Sequence, residues 1–355
     1  MNKFAIGTLF LGVAVLSACG NGGNSDSDVA GGEQELANEL YFFNWGHNID
    51  EQILADFEEE FGVEVIYDTY ASNEEMLTQI NSGAISYDII IPTDYFIDRM
   101  IQMDLLAELN MENIPNFENI AEEFQDLEFD PENRYSVPYL YGSTGLAYNT
   151  EVFEEPPTSW EVLWDPEYAG KVTAHDTSRD FVSLALQRLG KSINDLDDAS
   201  LEEAQGILGD LNANVLKYTT QPAAELISGQ SVASLAYSDQ AGIAMAENDA
   251  IAYVLPEEDG GMLWMDNFAI PSNANSQYTA EVFINFMLDA EVSKMLTDYI
   301  PSSNPNAAAR ELMSEEELSN QASYPDIPES SEYYVDPTQD ETRAINRIWN
   351  EVRAQ

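Results

Sequence analysis

The chain has 355 residues, with 65 acidic against 13 basic side chains and a formal net charge of −52 at pH 7. A field of that sign excludes nucleic acid as a partner and draws small cations toward the protein, although most of these carboxylates coat a solvated exterior where salt shortens their reach. The single cysteine excludes an internal disulfide, so stability rests on core burial, and the length implies two domains.

In chain order, Lys3 leads into an uncharged apolar run over 4–15 and then into Leu16-Ser17-Ala18-Cys19. The order of basic start, apolar run and small-residue site is that of a secretory signal, and the run is too short to span a bilayer core. The tetrad resembles a bacterial lipobox. It implies removal of residues 1–18 and a lipid on the Cys19 sulfur, so that the mature chain sits on the outer face of the cell membrane. Residues 19–38 then read as the lipidated cysteine and a flexible tether, because the Gly-, Asn- and Asp-rich stretch has too little to bury.

The folded part opens with a predicted strand over 39–44 and a helix over 50–61 with Ile53, Leu54, Phe57 and Phe61 on one face; a strand over 63–69 follows. Strand, helix and strand within about thirty residues suggest a βαβ unit. A helix over 74–80, a strand over 87–91 stopped by Pro92, and a helix over 96–103 continue the alternation. Uninterrupted apolar strands such as Ile89-Ile90-Ile91 belong in parallel sheets covered on both faces. A second series follows Tyr141-Gly142, with strands near 146–148, 171–174, 215–218, 234–236 and 251–255 and helices over 181–189 and 201–211. Pro325, Pro328 and Pro337 mark an irregular surface connection before a last helix over 341–352. Two α/β domains joined near Tyr141 fit this order.

Three segments carry a resemblance. The first is Tyr41-Phe42-Phe43-Asn44-Trp45-Gly46, with Val65-Ile66-Tyr67-Asp68-Thr69-Tyr70 and Ser72-Asn73-Glu74 behind it. The second is Tyr87-Asp88-Ile89-Ile90-Ile91-Pro92 with Tyr95, and the third runs from Gly260-Gly261-Met262-Leu263-Trp264 through Met265-Asp266-Asn267-Phe268-Ala269-Ile270-Pro271. Together they resemble the periplasmic spermidine/putrescine-binding proteins, over most of the chain from about Leu40 onward. The resemblance implies an α/β, two-lobed periplasmic-binding-protein-like fold with crossing hinge strands and a ligand cleft between the lobes. By similarity, one lobe takes 39–141 plus 264–309 and the other 142–263 plus 310–355. It also implies the function: capture of a polyamine by hinge closure and delivery to the membrane-embedded permease of an ABC importer.

A polyamine is a methylene chain bearing separated ammonium groups, each costly to desolvate unless acids or several acceptors meet it, so its site pairs carboxylates with aromatic walls. By the family match, Trp45, Tyr95 and Trp264 are the walls and Asp266 takes a terminal ammonium. Tyr237 stands where relatives often have Trp, and Asp180 aligns with a carboxylate at the start of the 181–189 helix, with Asp176 close to another. Asp176 and Asp180 have a competing reading as caps of that helix. His47 and Asn48 replace an acid and a tyrosine common in relatives, and His47 is carried as a cleft residue with the other seven. Ser302-Ser303-Asn304 likewise stands where relatives have a tyrosine.

Neither a Gly-rich phosphate loop nor a nucleophile-elbow pattern is present, and with only two histidines an enzyme is disfavoured; paired-carboxylate hydrolysis stays open on counting alone. No cofactor or resident metal is expected. The alternative on the same fold is a receptor for another small cationic metabolite or for ferric ion, the latter with phenolates from Tyr333-Tyr334 joined by His47 or His175 and a carboxylate.

Overall fold

The computed structural model describes residues 34–46, 48–300 and 303–354. Strand β1 (Glu39–Trp45) leads to helix α1 (Glu51–Phe61), which Asp50 caps by accepting from Gln52 N and Gly62 ends in the left-handed region. Strand β2 (Glu64–Tyr70), helix α2 (Asn73–Ser82), strand β3 (Ile89–Ile90) and helix α3 (Asp94–Gln102) follow. After a run of short 3₁₀ turns comes a long strand, β4 (Ser136–Asn149). Next are β5 (Val172–Ala174), α4 (Ser178–Arg188), α5 (Asp198–Asn212), β6 (Val215–Tyr218), α6 (Ala223–Ile227), β7 (Ala233–Tyr237), α7 (Ser238–Glu247) and β8 (Ile251–Val254). The chain then forms β9 (Met262–Ala269), α8 (Gln277–Met287), α9 (Ala290–Tyr299), α10 (Ala307–Arg310), α11 (Glu315–Leu318), β10 (Glu332–Tyr333) and α12 (Gln339–Arg353).

All ten strands join one hydrogen-bonded sheet in the order β2-β1-β3-β9-β4-β7-β5-β6, with β10 beside β9 and β8 beside β4. β1 pairs in parallel with β2 and β3 at one end, and β5 pairs in parallel with β6 and β7 at the other. β4 and β9 run antiparallel through the middle, from Ser136↔Ala269 to Thr144↔Met262. The register shifts between Pro138 and Leu140, where proline has no N–H to give the ladder.

The two central strands serve different cores along their lengths. Val137 and Leu140 of β4 and Met265 and Phe268 of β9 pack with Leu40, Phe42, Phe57, Phe283 and Leu296. Leu146 and Met262 pack instead with Trp160, Phe181, Leu184, Leu208 and Trp349. The change falls between 140 and 146 on one strand and between 262 and 265 on the other. At that crossover Gly142 lies opposite Trp264, and a Cβ on Gly142 would stand 2.3 Å from the Trp264 ring. Glycine there lets the indole approach the β4 backbone closely.

Several elements differ from the sequence reading. Only 146–148 of β4 carries a strand signature, because Pro138, Gly142 and Gly145 look like breakers, yet all three sit in a strand walled on both faces. Helices α8 and α9 were not read from the sequence. Residues 36–38, assigned to the tether, are held to the fold: Leu36 packs on the first core, Ala37 N donates to Thr279 Oγ1 at 2.8 Å, and Asn38 O accepts from Glu64 N at 2.9 Å. The proline-bearing connection around 325–337 carries a strand, β10, and brings Tyr334 into the interior. Cys19 and residues 1–18 lie outside the described residues.

Candidate ligand-binding site

A cavity of about 290 Å³ opens where the two cores meet along β4 and β9. Its first wall comes from elements of the first core. Trp45 ends β1 and packs on Tyr70 with ring centroids 4.6 Å apart, and Tyr95 sits in the first turn of α3. Between them a chain of donors runs toward β9. Asn73 Nδ2 donates to Thr93 Oγ1 at 3.1 Å, and Thr93 Oγ1 donates to Asp266 Oδ1 at 2.9 Å.

Asp266 is 7 % exposed. Thr93 is the one side chain among the described residues that reaches its carboxyl with full hydrogen-bonding geometry, and no described Lys, Arg or His pairs with it. The Trp45 indole N–H lies near enough to help hold the charge, yet it meets no acceptor at hydrogen-bonding geometry. Burial therefore prevails over the two donors and pushes the Asp266 pKa up to about 7. Asp94, close behind and off the cavity lining, is a second acid in the same state: burial and the charge of Asp266 hold its pKa well above the usual carboxylate range, and its Oδ2 has no partner. This wall holds two buried acids with no cation beside them among the described residues.

The second wall comes from elements of the second core and is wired differently. Asp180, in the first turn of α4, accepts at Oδ2 from Thr177 Oγ1 (2.7 Å) and Tyr237 OH (2.7 Å), with His175 Nδ1 at 2.8 Å. Its Oδ1 accepts from Tyr334 OH at 2.6 Å. Burial alone would raise this acid, but His175 first, then Tyr334 and Thr177, outweigh it and hold Asp180 well below the usual carboxylate range. His175 is fully buried, packs against Tyr237 with tilted rings 4.3 Å apart, and leaves Nε2 without a partner. Asp239, at the start of α7, lines the same wall; its carboxylate accepts from Gln240 Nε2 at 3.1 Å, and burial pushes its pKa up. Trp264 lies between the walls, edge-on to Tyr237 at 6.5 Å, and Tyr95 meets Tyr334 edge-on at 6.2 Å.

Of the eight cleft residues expected from the sequence, the structure brings six to one cavity: Trp45, Tyr95, Asp180, Tyr237, Trp264 and Asp266. Asp176 is exposed and off the lining, because it precedes α4 and points to solvent while Asp180 lies a turn further on and faces inward. His47 falls outside the described residues. Asn48, Asn73, Thr93, Asp239, Ile300 and Tyr334 also line the cavity. Asn73 lies within Ser72-Asn73-Glu74 and Thr93 beside Pro92, so proximity to the motifs is the available signal for both. Tyr334 was read only as half of a phenolate pair, and Tyr333 does not line this cavity.

The arrangement is an aromatic-sided cleft with a buried acid that has no cationic partner among the described residues, suited to a small organic cation. Among the described residues no helix is long and apolar enough to cross a membrane. The sequence profile of the bacterial extracellular solute-binding proteins matches residues 52–325. The chain is 35 % identical over 294 residues to the spermidine/putrescine-binding periplasmic protein of Escherichia coli K12, covering 81 % of this chain and 84 % of that one. It is 32 % identical over 344 residues to the putrescine/cadaverine-binding protein of Pseudomonas aeruginosa, covering 92 % and 96 %. Among solved structures, the putative spermidine/putrescine ABC transporter of Listeria monocytogenes superposes with a TM-score of 0.82 at 34 % identity, over 89 % of this chain and 99 % of that one. The spermidine/putrescine ABC transporter substrate-binding protein of Streptococcus pneumoniae gives 0.81 at 34 %, over 90 % and 99 %.

Proposed function

This chain belongs to the family of bacterial extracellular solute-binding proteins, and from that premise we propose that it captures a polyamine outside the cell and hands it to the permease of an ABC importer. The observation that carries the reading is Asp266, a buried carboxylate without a cationic partner at hand, set between the indoles of Trp45 and Trp264. An ammonium placed there meets its charge partner and two aromatic faces at once, while the methylene chain lies along the rings. The names of the similar proteins from Escherichia coli, Pseudomonas aeruginosa and Streptococcus pneumoniae support the same ligand class.

In this reading the protein binds and releases its ligand unchanged. Residues 39–141 with 264–309 act as one lobe and 142–263 with 310–355 as the other, hinged where β4 and β9 pass from one core to the next. Ligand favours the closed form because only there do both walls contact it. Cys19 carries the lipid that keeps the protein at the membrane.

A thermal-shift panel of putrescine, cadaverine, spermidine, spermine, a neutral diol of similar length and ferric ion tests the ligand class. A ligand at a hundredfold excess over Kd adds about 2.7 kcal/mol to stability. At least one polyamine raises the melting temperature and the diol does not. A shift with ferric ion alone, or with none of the amines, overturns the reading.

A further inference from the structure

Asp180 is an acid in the cavity whose acceptor capacity is largely taken. Three donors crowd Oδ2, from Thr177, Tyr237 and His175, and Tyr334 occupies Oδ1. A carboxylate offers about four lone-pair sites, so little remains for a ligand N–H. The direction of the two phenol bonds follows from charge: an ionised carboxylate only accepts, so Tyr237 and Tyr334 each give their single hydroxyl hydrogen to Asp180. Each phenolic oxygen is then left with lone pairs and no hydrogen, a pure acceptor on the cavity lining. The carboxylate behind polarises both oxygens further. Their rings are held in place, Tyr237 by the tilted His175 ring 4.3 Å away and Tyr334 by the Arg179 guanidinium 5.0 Å over its ring.

We propose that a second ammonium of the ligand is held by the phenolic oxygens of Tyr237 and Tyr334, that Asp180 is a positioning residue behind them, and that His175 anchors Asp180. The proposal rests on the polyamine reading above and deepens it. The two ends of the ligand are gripped by different chemistry: at one end the Asp266 carboxylate directly, at the other two neutral oxygens whose hydrogens are pinned away, with Asp239, which accepts from Gln240, on the same wall. Two neutral acceptors tell an ammonium from a hydroxyl less strongly than a bare carboxylate would.

Calorimetric titration of the full-length protein, Tyr334→Phe and Tyr237→Phe with 1,4-diaminobutane and with 1-aminobutane tests it, with thermal unfolding run beside each variant. Loss of one acceptor to a charged group weakens the diamine by about tenfold to a hundredfold in each variant and leaves the monoamine within about twofold. If Asp180 itself gripped the ammonium, Tyr334→Phe would free Oδ1, and diamine affinity would hold or rise. That result overturns the proposal, as does an equal fall for diamine and monoamine. A wild-type protein that binds no diamine at all overturns the polyamine reading as well, so the two failures are told apart by the wild-type titration.

Discussion

Asp266 and Asp180 share one cavity and are both shielded from water, at 7 % and 5 % exposure, yet the protein treats them in opposite ways. Asp180 is met by four donors and held low, whereas Asp266 has one full hydrogen bond and is pushed up to about 7. An acid that has its partners built in is part of the scaffold. An acid left without them is unstable as an anion until something arrives. The difference separates a carboxylate that shapes the site from one that waits for the ligand, and neither role can be told from the residue type.

The comparison breaks most sharply at Asp266. Asp266→Asn removes the charge partner of a desolvated ammonium, at a cost of about 2–5 kcal/mol in binding, or roughly thirtyfold to several thousandfold in Kd. Isothermal titration with the best polyamine reads this directly, and affinity that survives the substitution contradicts the clamp.

Asp180→Asn shows its largest effect in stability. It breaks a buried acid held by four donors and costs about 3 kcal/mol, the low end for a broken buried pair. The two acids also leave opposite marks on pH. The depressed Asp180 contributes stability above the unfolded carboxylate pKa of about 3.9 and loses it as pH falls through its lower folded value. The raised Asp266 favours the ligand-free fold at low pH and loses that contribution as pH rises from about 4 through about 7. Denaturant melts of the ligand-free protein at pH 3, pH 5 and pH 8 check both: Asp266→Asn flattens the decline from pH 5 to pH 8, and Asp180→Asn lowers stability at pH 5 and pH 8 and flattens the loss from pH 5 to pH 3.

A smaller effect is expected at the crossover. Gly142→Ala places a Cβ 2.3 Å from the Trp264 ring, so the indole must tilt or β4 must shift. Overpacking of this kind costs about 1–3 kcal/mol. Because Trp264 lines the cavity, polyamine affinity falls along with it. A variant as stable as the wild type and with full affinity would show that the indole does not need its close seat on β4.

Much of the first wall was legible in the sequence. The β1 to α3 alternation has plain apolar periodicity, and Trp45, Tyr95, Trp264 and Asp266 stand inside or beside the segments that carry the resemblance. The rest depended on contacts that no local pattern encodes. Thr93 meets Asp266 across 173 positions and Tyr334 meets Asp180 across 154. Asp176 and Asp180 differ by one helical turn, and only the direction of α4 decides which one faces inward. Strand β4 was hidden by the glycines and proline that let Trp264 cross it and bend its ladder. The proline-rich stretch before α12 gave no sign that it returns to the interior.

The central claim, that a buried and unpaired Asp266 receives the ammonium, is tested most directly by counting protons. In the empty site Asp266 titrates near 7; beside an ammonium it falls toward the ordinary carboxylate range, so binding below pH 7 expels a proton. Titrations with 1,4-diaminobutane at pH 6, in buffers of different ionisation enthalpy, give the number released. The account predicts most of one proton per ligand for the wild type, a release smaller by about that amount for Asp266→Asn, and wild-type affinity that rises up to about tenfold from pH 6 to pH 8. Tight binding with no proton released, and equal affinity at the two pH values, would contradict it.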